Sequence, residues 1–233
     1  MPAKPQEERL QAGVSGLDEL LNGGFIKNQV YLISGGAGCG KTIICCQILW
    51  TGLQRGDKCI FFTLEEPPDS IIKNAKKFGW DLNKYIDQKK FLLEYKDPFE
   101  MVDITTVIKQ KVVKFGATIV VIDSSSIIGM LLENQYEVRK RLLGLIKALK
   151  EANVTTFITS ETLEGSESMS RFQVEEFVVD GVIALYFIKK GYTRERALEV
   201  FKMRGSKIAE KIVPMHITDK GIVLYPKQQI FNE

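Results

Sequence analysis

Residues 35–42 read Gly-Gly-Ala-Gly-Cys-Gly-Lys-Thr, a full match to the phosphate-cradling pattern G-x-x-x-x-G-K-[ST]. The motif needs a buried strand before it and a helix after it. Residues 30–34 form a short apolar run of the strand type, and residues 41–54 hold no Pro and a single Gly, as a helix requires. Between them the glycines let the backbone curl until several N–H groups converge at the positive end of a helix dipole. Lys41 then reaches the β- and γ-phosphates, and the Thr42 hydroxyl is placed to ligate Mg²⁺. The motif predicts a nucleoside-triphosphate site built from Gly36, Ala37, Gly38, Cys39, Gly40, Lys41, Thr42 and Ile43.

With 233 residues, 45% of them apolar and 26% charged, the chain suits one sizeable soluble α/β domain and is short for two. A net charge of +3 does not by itself point to a nucleic acid or a membrane. No apolar run approaches the roughly 18 residues of a membrane span, and residues 1–9 lack the apolar core of a secretory signal. Cys39, Cys45, Cys46 and Cys59 follow no zinc spacing. They read as small buried apolar residues in a reducing, cytoplasmic setting. Cys39, inside the loop, reads as filler, with a redox-sensitive thiol as the alternative.

Short β-rich runs alternate with amphipathic helical stretches, which predicts a mostly parallel sheet with helices on both faces. Strands are expected at 58–64, 91–95, 117–123 and 154–160. Helices are expected at 69–79, capped by Asp69, at 101–115, and at 136–152, the last burying Leu142, Leu143, Leu145, Ile146 and Leu149. Residues 161–171 carry Gly165, three serines and three glutamates and read as a loop. Beyond them, runs at 181–188, 196–202, 211–217 and 221–225, with turns at 189–193 and 219–221, read as C-terminal antiparallel hairpins. One domain over residues 1–233 is the expectation.

Asp123 closes a buried strand and is placed to hold Mg²⁺ beside Thr42, a helix cap being the plainer alternative. Glu65 and Glu66 follow the next strand, at the carboxyl edge where open α/β sheets bind ligands. One of them suits the alignment of an attacking water; the reading takes Glu65 as the base and Glu66 as support, against a solvated acidic turn. Lys202 and Arg204, two positions apart on a strand, point the same way as a compact positive clamp for a transition state, a solvated strand face being the plainer alternative. His216, the lone histidine, reads as a packing or surface residue.

Together these residues resemble the KaiC-like branch of RecA-superfamily ATPases over essentially the whole chain. The matching stretches are Gly-Leu-Asp-Glu-Leu-Leu-Asn-Gly-Gly at 16–24, the phosphate loop, Phe-Thr-Leu-Glu-Glu at 62–66 and residues 71–82. Ser-Arg-Phe-Gln-Val-Glu-Glu-Phe-Val at 170–178, Lys-Met-Arg-Gly at 202–205 and Ile-Thr-Asp-Lys-Gly at 217–221 complete the set. The resemblance implies a RecA-like core, ATP as substrate with Mg²⁺, and a homo-oligomeric ring, commonly a hexamer, with ATP between neighbours. It implies that Lys202 and Arg204 reach the adjacent protomer's phosphates, with Phe177, Arg196, Met203, Ile217 and Asp219 bordering that same nucleotide. Glu65 matches the family's water-activating glutamate and Asp123 its metal-associated aspartate. Cys39 stands where Thr is common. KaiC carries two such domains in tandem and this chain one, and no match to the adjacent Ser-Thr autophosphorylation pair is present, so a circadian role does not follow.

A different reading is a DNA-recombination accessory ATPase of the RecA type. Its candidate DNA loops, 124–135 and 161–171, hold one Arg and no Lys against four Glu, which disfavours phosphate-backbone binding. A non-hydrolysing scaffold that uses ATP as glue is disfavoured by the presence of Glu65, Lys202 and Arg204.

Overall fold

The computed structural model describes residues 7–97, 103–130, 132–163 and 168–228. A small antiparallel pair, β1 (Arg9–Leu10) and β2 (Phe25–Ile26), precedes the main sheet. That sheet contains β3 (Val30–Gly35), β4 (Cys59–Thr63), β5 (Phe91–Tyr95), β6 (Ile119–Asp123), β7 (Thr155–Glu161), β8 (Gly181–Lys190), β9 (Thr193–Met203), β10 (Ile212–Thr218) and β11 (Gly221–Leu224). Their order is β11-β10-β9-β8-β3-β7-β6-β4-β5. The six from β8 to β5 run parallel, and β9 to β11 extend the sheet antiparallel, so the fold is α/β with C-terminal hairpins.

Alternation along the strands splits the core in two. Tyr31, Ile33 and Phe61 pack on one face with α1 (Leu17–Leu20), α2 (Lys41–Arg55), α3 (Pro68–Lys77) and α4 (Leu82–Asp87). Val30, Leu32, Ile60 and Phe62 pack on the other with α5 (Ile104–Phe115), α6 (Ser125–Met130), α7 (Gln135–Glu151) and α8 (Glu175–Val178). With both faces covered, β3, β4 and β6 are apolar almost throughout, whereas β7 carries buried Thr155, Thr156, Thr159 and Ser160 among its residues.

Several boundaries differ from expectation. Asp69 is not the cap of α3: Pro67 holds that position and Pro68 opens the helix, because its fixed φ and missing N–H suit the first turn. Asp103 caps α5 by accepting from the Thr106 N–H at 3.2 Å; the expected start at Met101 lies outside the described residues, as do 164–167 of the expected loop. Leu143 is 47% exposed, since Leu142, Leu145, Ile146 and Leu149 already fill the buried stripe and Leu143 sits about 100° around from Leu142. The stretch 124–135 holds α6 rather than a plain loop.

The hairpin β10–β11 is fastened to the phosphate-loop helix by Gln47. Its Oε1 accepts from the Ile222 N–H at 2.6 Å, and its Nε2 donates to the carbonyls of Ile222 (3.2 Å) and Gly13 (3.1 Å). Gly221 fits only because it lacks a side chain: a Cβ there would lie 2.5 Å from Gln47 Oε1. Gln47→Leu leaves these buried backbone groups unpaired, and the expected cost is about 2–4 kcal/mol in urea denaturation.

Candidate functional site

The strands that carry polar chemistry end on one edge of the sheet. In-register parallel pairing sets Gly35 opposite Glu161 and Thr63 opposite Asp123, with Glu65 just beyond. These strand ends and the phosphate loop enclose a cavity of about 500 Å³, within the range of small-molecule sites. Lys41, Thr42, Glu65, Glu66 and Asp123 line it together, as do Ser124 and Glu161.

The loop takes its curl from Gly38 (φ +73°) and Gly40 (φ +103°), in a region open to glycine, and Gly40 precedes α2 as its N-cap. Lys41 Nζ donates to the carbonyls of Gly35 (2.9 Å) and Gly36 (3.0 Å), which holds the ammonium across the loop. Cys39 is buried, and burial pushes its thiol pKa up despite nearby Lys41. All four cysteines are buried and free.

Asp123 is gripped from two sides: Thr42 Oγ1 donates to Oδ2 at 2.8 Å, and Thr159 Oγ1 donates to Oδ1. Hydroxyl plus carboxylate is a hard-oxygen donor set of the kind Mg²⁺ accepts. No group of three or more His, Cys, Asp or Glu able to hold a metal occurs among the described residues, and a Mg²⁺ that draws most ligands from phosphates and water needs none. Ser124, joined to Asp123 by a cis peptide bond, donates its hydroxyl to Glu65 Oε1. Desolvation raises the Glu65 pKa, and the charges of Asp123 and Glu161 add to it; the Ser124 hydrogen bond and Lys41 oppose it. Glu66 is held by its backbone, whose N–H donates to Thr63 Oγ1 at 3.1 Å and whose carbonyl accepts from it at 2.6 Å. The two neighbouring glutamates therefore occupy different environments.

The far wall of the cavity is largely apolar, made by Ile71 and Ala75 of α3, Phe78 at its C-cap, Trp80, and Ile217 of β10, with Asn74 and Lys77 of α3 beside them. Arg196 also lines it; its guanidinium donates to the Gly38 carbonyl at 3.1 and 3.2 Å and lies over the Phe187 ring, 4.4 Å from the centroid. Arg196 and Ile217 thus stand at this chain's own loop. Asp219 is exposed in the turn two residues past Ile217.

Phe177, Lys202, Met203 and Arg204 lie elsewhere. Lys202 is opposite Val182, itself opposite Leu32, so it sits about 10 Å back along the strands from Gly35 and two strands across. Its Nζ donates to the carbonyls of Glu176 (2.7 Å) and Val179 (2.9 Å). Burial, then the Arg204 charge, lowers its pKa. Arg204 donates to the Phe177 carbonyl at 3.0 Å and pairs at 3.8 Å with buried Asp180. Phe177 is 59% exposed, whereas Met203 turns its side chain into the core. Neither cation reaches the phosphate loop of its own chain.

Sequence reading missed Ser124, Thr159 and Glu161. Ser124 was legible as a hydroxyl next to the strand-end carboxylate; the other two emerge only from the placement of β7 between β3 and β6.

A strand–loop–helix cradle with a hydroxyl–carboxylate pair at the carboxyl edge of a parallel sheet defines a P-loop α/β protein. A family model described as "ATPase: KaiC" matches residues 10–229. The chain is 36% identical over 233 residues to the circadian clock oscillator protein KaiC of Prochlorococcus marinus, which covers 95% of this chain and 46% of that protein. It is 35% identical over 229 residues to the KaiC of Synechococcus elongatus, covering 94% and 44%. It is also similar to the crystal structure of a KaiC-like protein from Pyrococcus horikoshii OT3, at 33% identity and a TM-score of 0.86, over 95% of this chain and 100% of that one. The chain spans about half the length of the curated relatives it matches. It belongs to the KaiC family of ATPases. No helix among the described residues is long and apolar enough to cross a membrane.

Proposed function

We propose that this chain is a Mg²⁺-dependent ATPase domain whose site is completed by a second copy of itself in a ring. The observation that carries the reading is one cavity holding the phosphate loop, the Thr42–Asp123 pair and a partly desolvated Glu65 fixed by Ser124. The triphosphate lies along the loop amides with Lys41 beside its terminal groups, and the base rests against Ile71, Phe78 and Ile217. Thr42 and Asp123 would hold Mg²⁺, which would supply charge neutralisation on the phosphate oxygens. Glu65 orients the attacking water and takes its proton as the new P–O bond forms and the β–γ bridge oxygen leaves, giving ADP and inorganic phosphate.

The placement of two cations agrees with assembly. Lys202 and Arg204 lie away from their own phosphate loop, on the opposite side of the sheet, and in the proposed ring they serve a neighbouring copy's phosphates. A head-to-tail contact that closes makes a ring.

Phosphate release with and without chelator, beside binding of a fluorescent ATP analogue, tests the reading. Failure to bind nucleotide removes it. The raised Glu65 pKa adds a signature. The rate falls as pH drops through that pKa, because the protonated carboxyl accepts no proton, so the acid limb of kcat/KM lies above the ordinary glutamate range. Glu65→Gln is expected to lack that limb in a pH–rate profile.

A further inference from the structure

A buried carboxylate outside the cavity links this chain's own site to the cations that face away from it. Glu175 opens α8 and is 1% exposed. Its Oε1 accepts from Ser160 Oγ at 3.1 Å; its Oε2 accepts from the N–H groups of Phe172 and Val174, each at 3.3 Å, and lies 2.7 Å from Ser170 Oγ, whose single hydroxyl proton it shares with Glu176 Oε2. Ser160 sits in β7 between Thr159, which grips Asp123, and Glu161, which lines the cavity. On its other side α8 offers the carbonyls of Glu176, Phe177 and, just past its end, Val179, on which Lys202 and Arg204 rest. A single helical turn has no stability of its own, so its place depends on what pins it. The pin is Glu175.

We propose that Glu175 is a positioning residue that fixes α8 against the end of β7 and thereby aims Lys202 and Arg204 at the neighbouring copy's phosphates. The inference rests on the reading that those cations act in trans. It makes the bonds around one nucleotide continuous with the groups that serve the next, through Asp123, Thr159, Ser160, Glu175 and Lys202. Glu175 touches neither its own cavity nor the reacting atoms.

Mixed rings test it. Glu175→Gln keeps the shape of the side chain and removes its charge. The expected result is a fall in phosphate release per chain of about 10-fold or more, with affinity for a fluorescent ATP analogue unchanged. Co-expressed with Glu65→Gln, which has a disabled base but intact cations, it regains activity, because a Glu175→Gln pocket then meets an intact clamp. That pairing arises at about a quarter of the boundaries of a random ring and sets the ceiling of recovery. Lys202→Ala mixed with Glu65→Gln is the reference. If the reference mixture shows no recovery, the trans reading falls and this inference with it. If the reference recovers and the Glu175→Gln mixture does not, Glu175 serves only its own chain and the inference alone is overturned. Should Glu175→Gln fail to fold in a thermal melt, Ser160→Ala breaks the same link from the other end, and the same mixture decides.

Discussion

Lys202→Ala and Arg204→Ala are each expected to lower phosphate release per chain by about 10³-fold, the scale of cations that neutralise charge in phosphoryl transfer. The loss has two features that a folding defect lacks. Each side chain rests on carbonyls of α8, so its removal costs stability of only about 1 kcal/mol, a shift of a few degrees in a thermal melt. Nucleotide affinity of the separate chain stays near the wild-type value, since neither cation lies near its own loop. The same geometry predicts that wild-type activity per chain rises with protein concentration and reaches a plateau as neighbours assemble. Full turnover by a strictly monomeric wild-type chain, measured by light scattering beside the assay, contradicts the shared site.

Glu65→Gln is expected to reduce kcat by about 10²–10⁴-fold. The amide oxygen still accepts the Ser124 hydroxyl, so the loop keeps its shape, but the group no longer takes a proton from water. Loss of a negative charge near the bound phosphates leaves nucleotide affinity unchanged or tighter, which a titration with a fluorescent analogue reads directly. Glu66→Gln is the contrast. Glu66 is secured by its backbone to Thr63, and its substitution is expected to change kcat only a few-fold. Equal rates for wild type and Glu65→Gln end the assignment of the base.

Physical locality explains which parts of this arrangement are readable along the chain. The loop at 35–42 is legible because its glycine conformations, its preceding strand and its following helix are all decided within about twenty residues. The strand-end position of Asp123 follows as simply from a run of β-branched residues closing on a carboxylate. The trace of Leu143 shows the limit of the same reasoning: helical spacing identifies a stripe, but the width of that stripe depends on what packs against it.

The residues of this chain, taken in order, determined an α/β fold, a glycine-rich strand–loop–helix at 35–42, and the strand-end places of Asp123 and Glu65. Only the tertiary structure decided which partners hold them. Ser124 meets Glu65 across 59 positions and Thr159 meets Asp123 across 36, contacts created by the strand order β3-β7-β6-β4. The same sheet carried Arg196 to the chain's own loop and turned Lys202 and Arg204 away from it. Side-chain chemistry is local to a residue, whereas distance between residues far apart in sequence is set by how the strands pair.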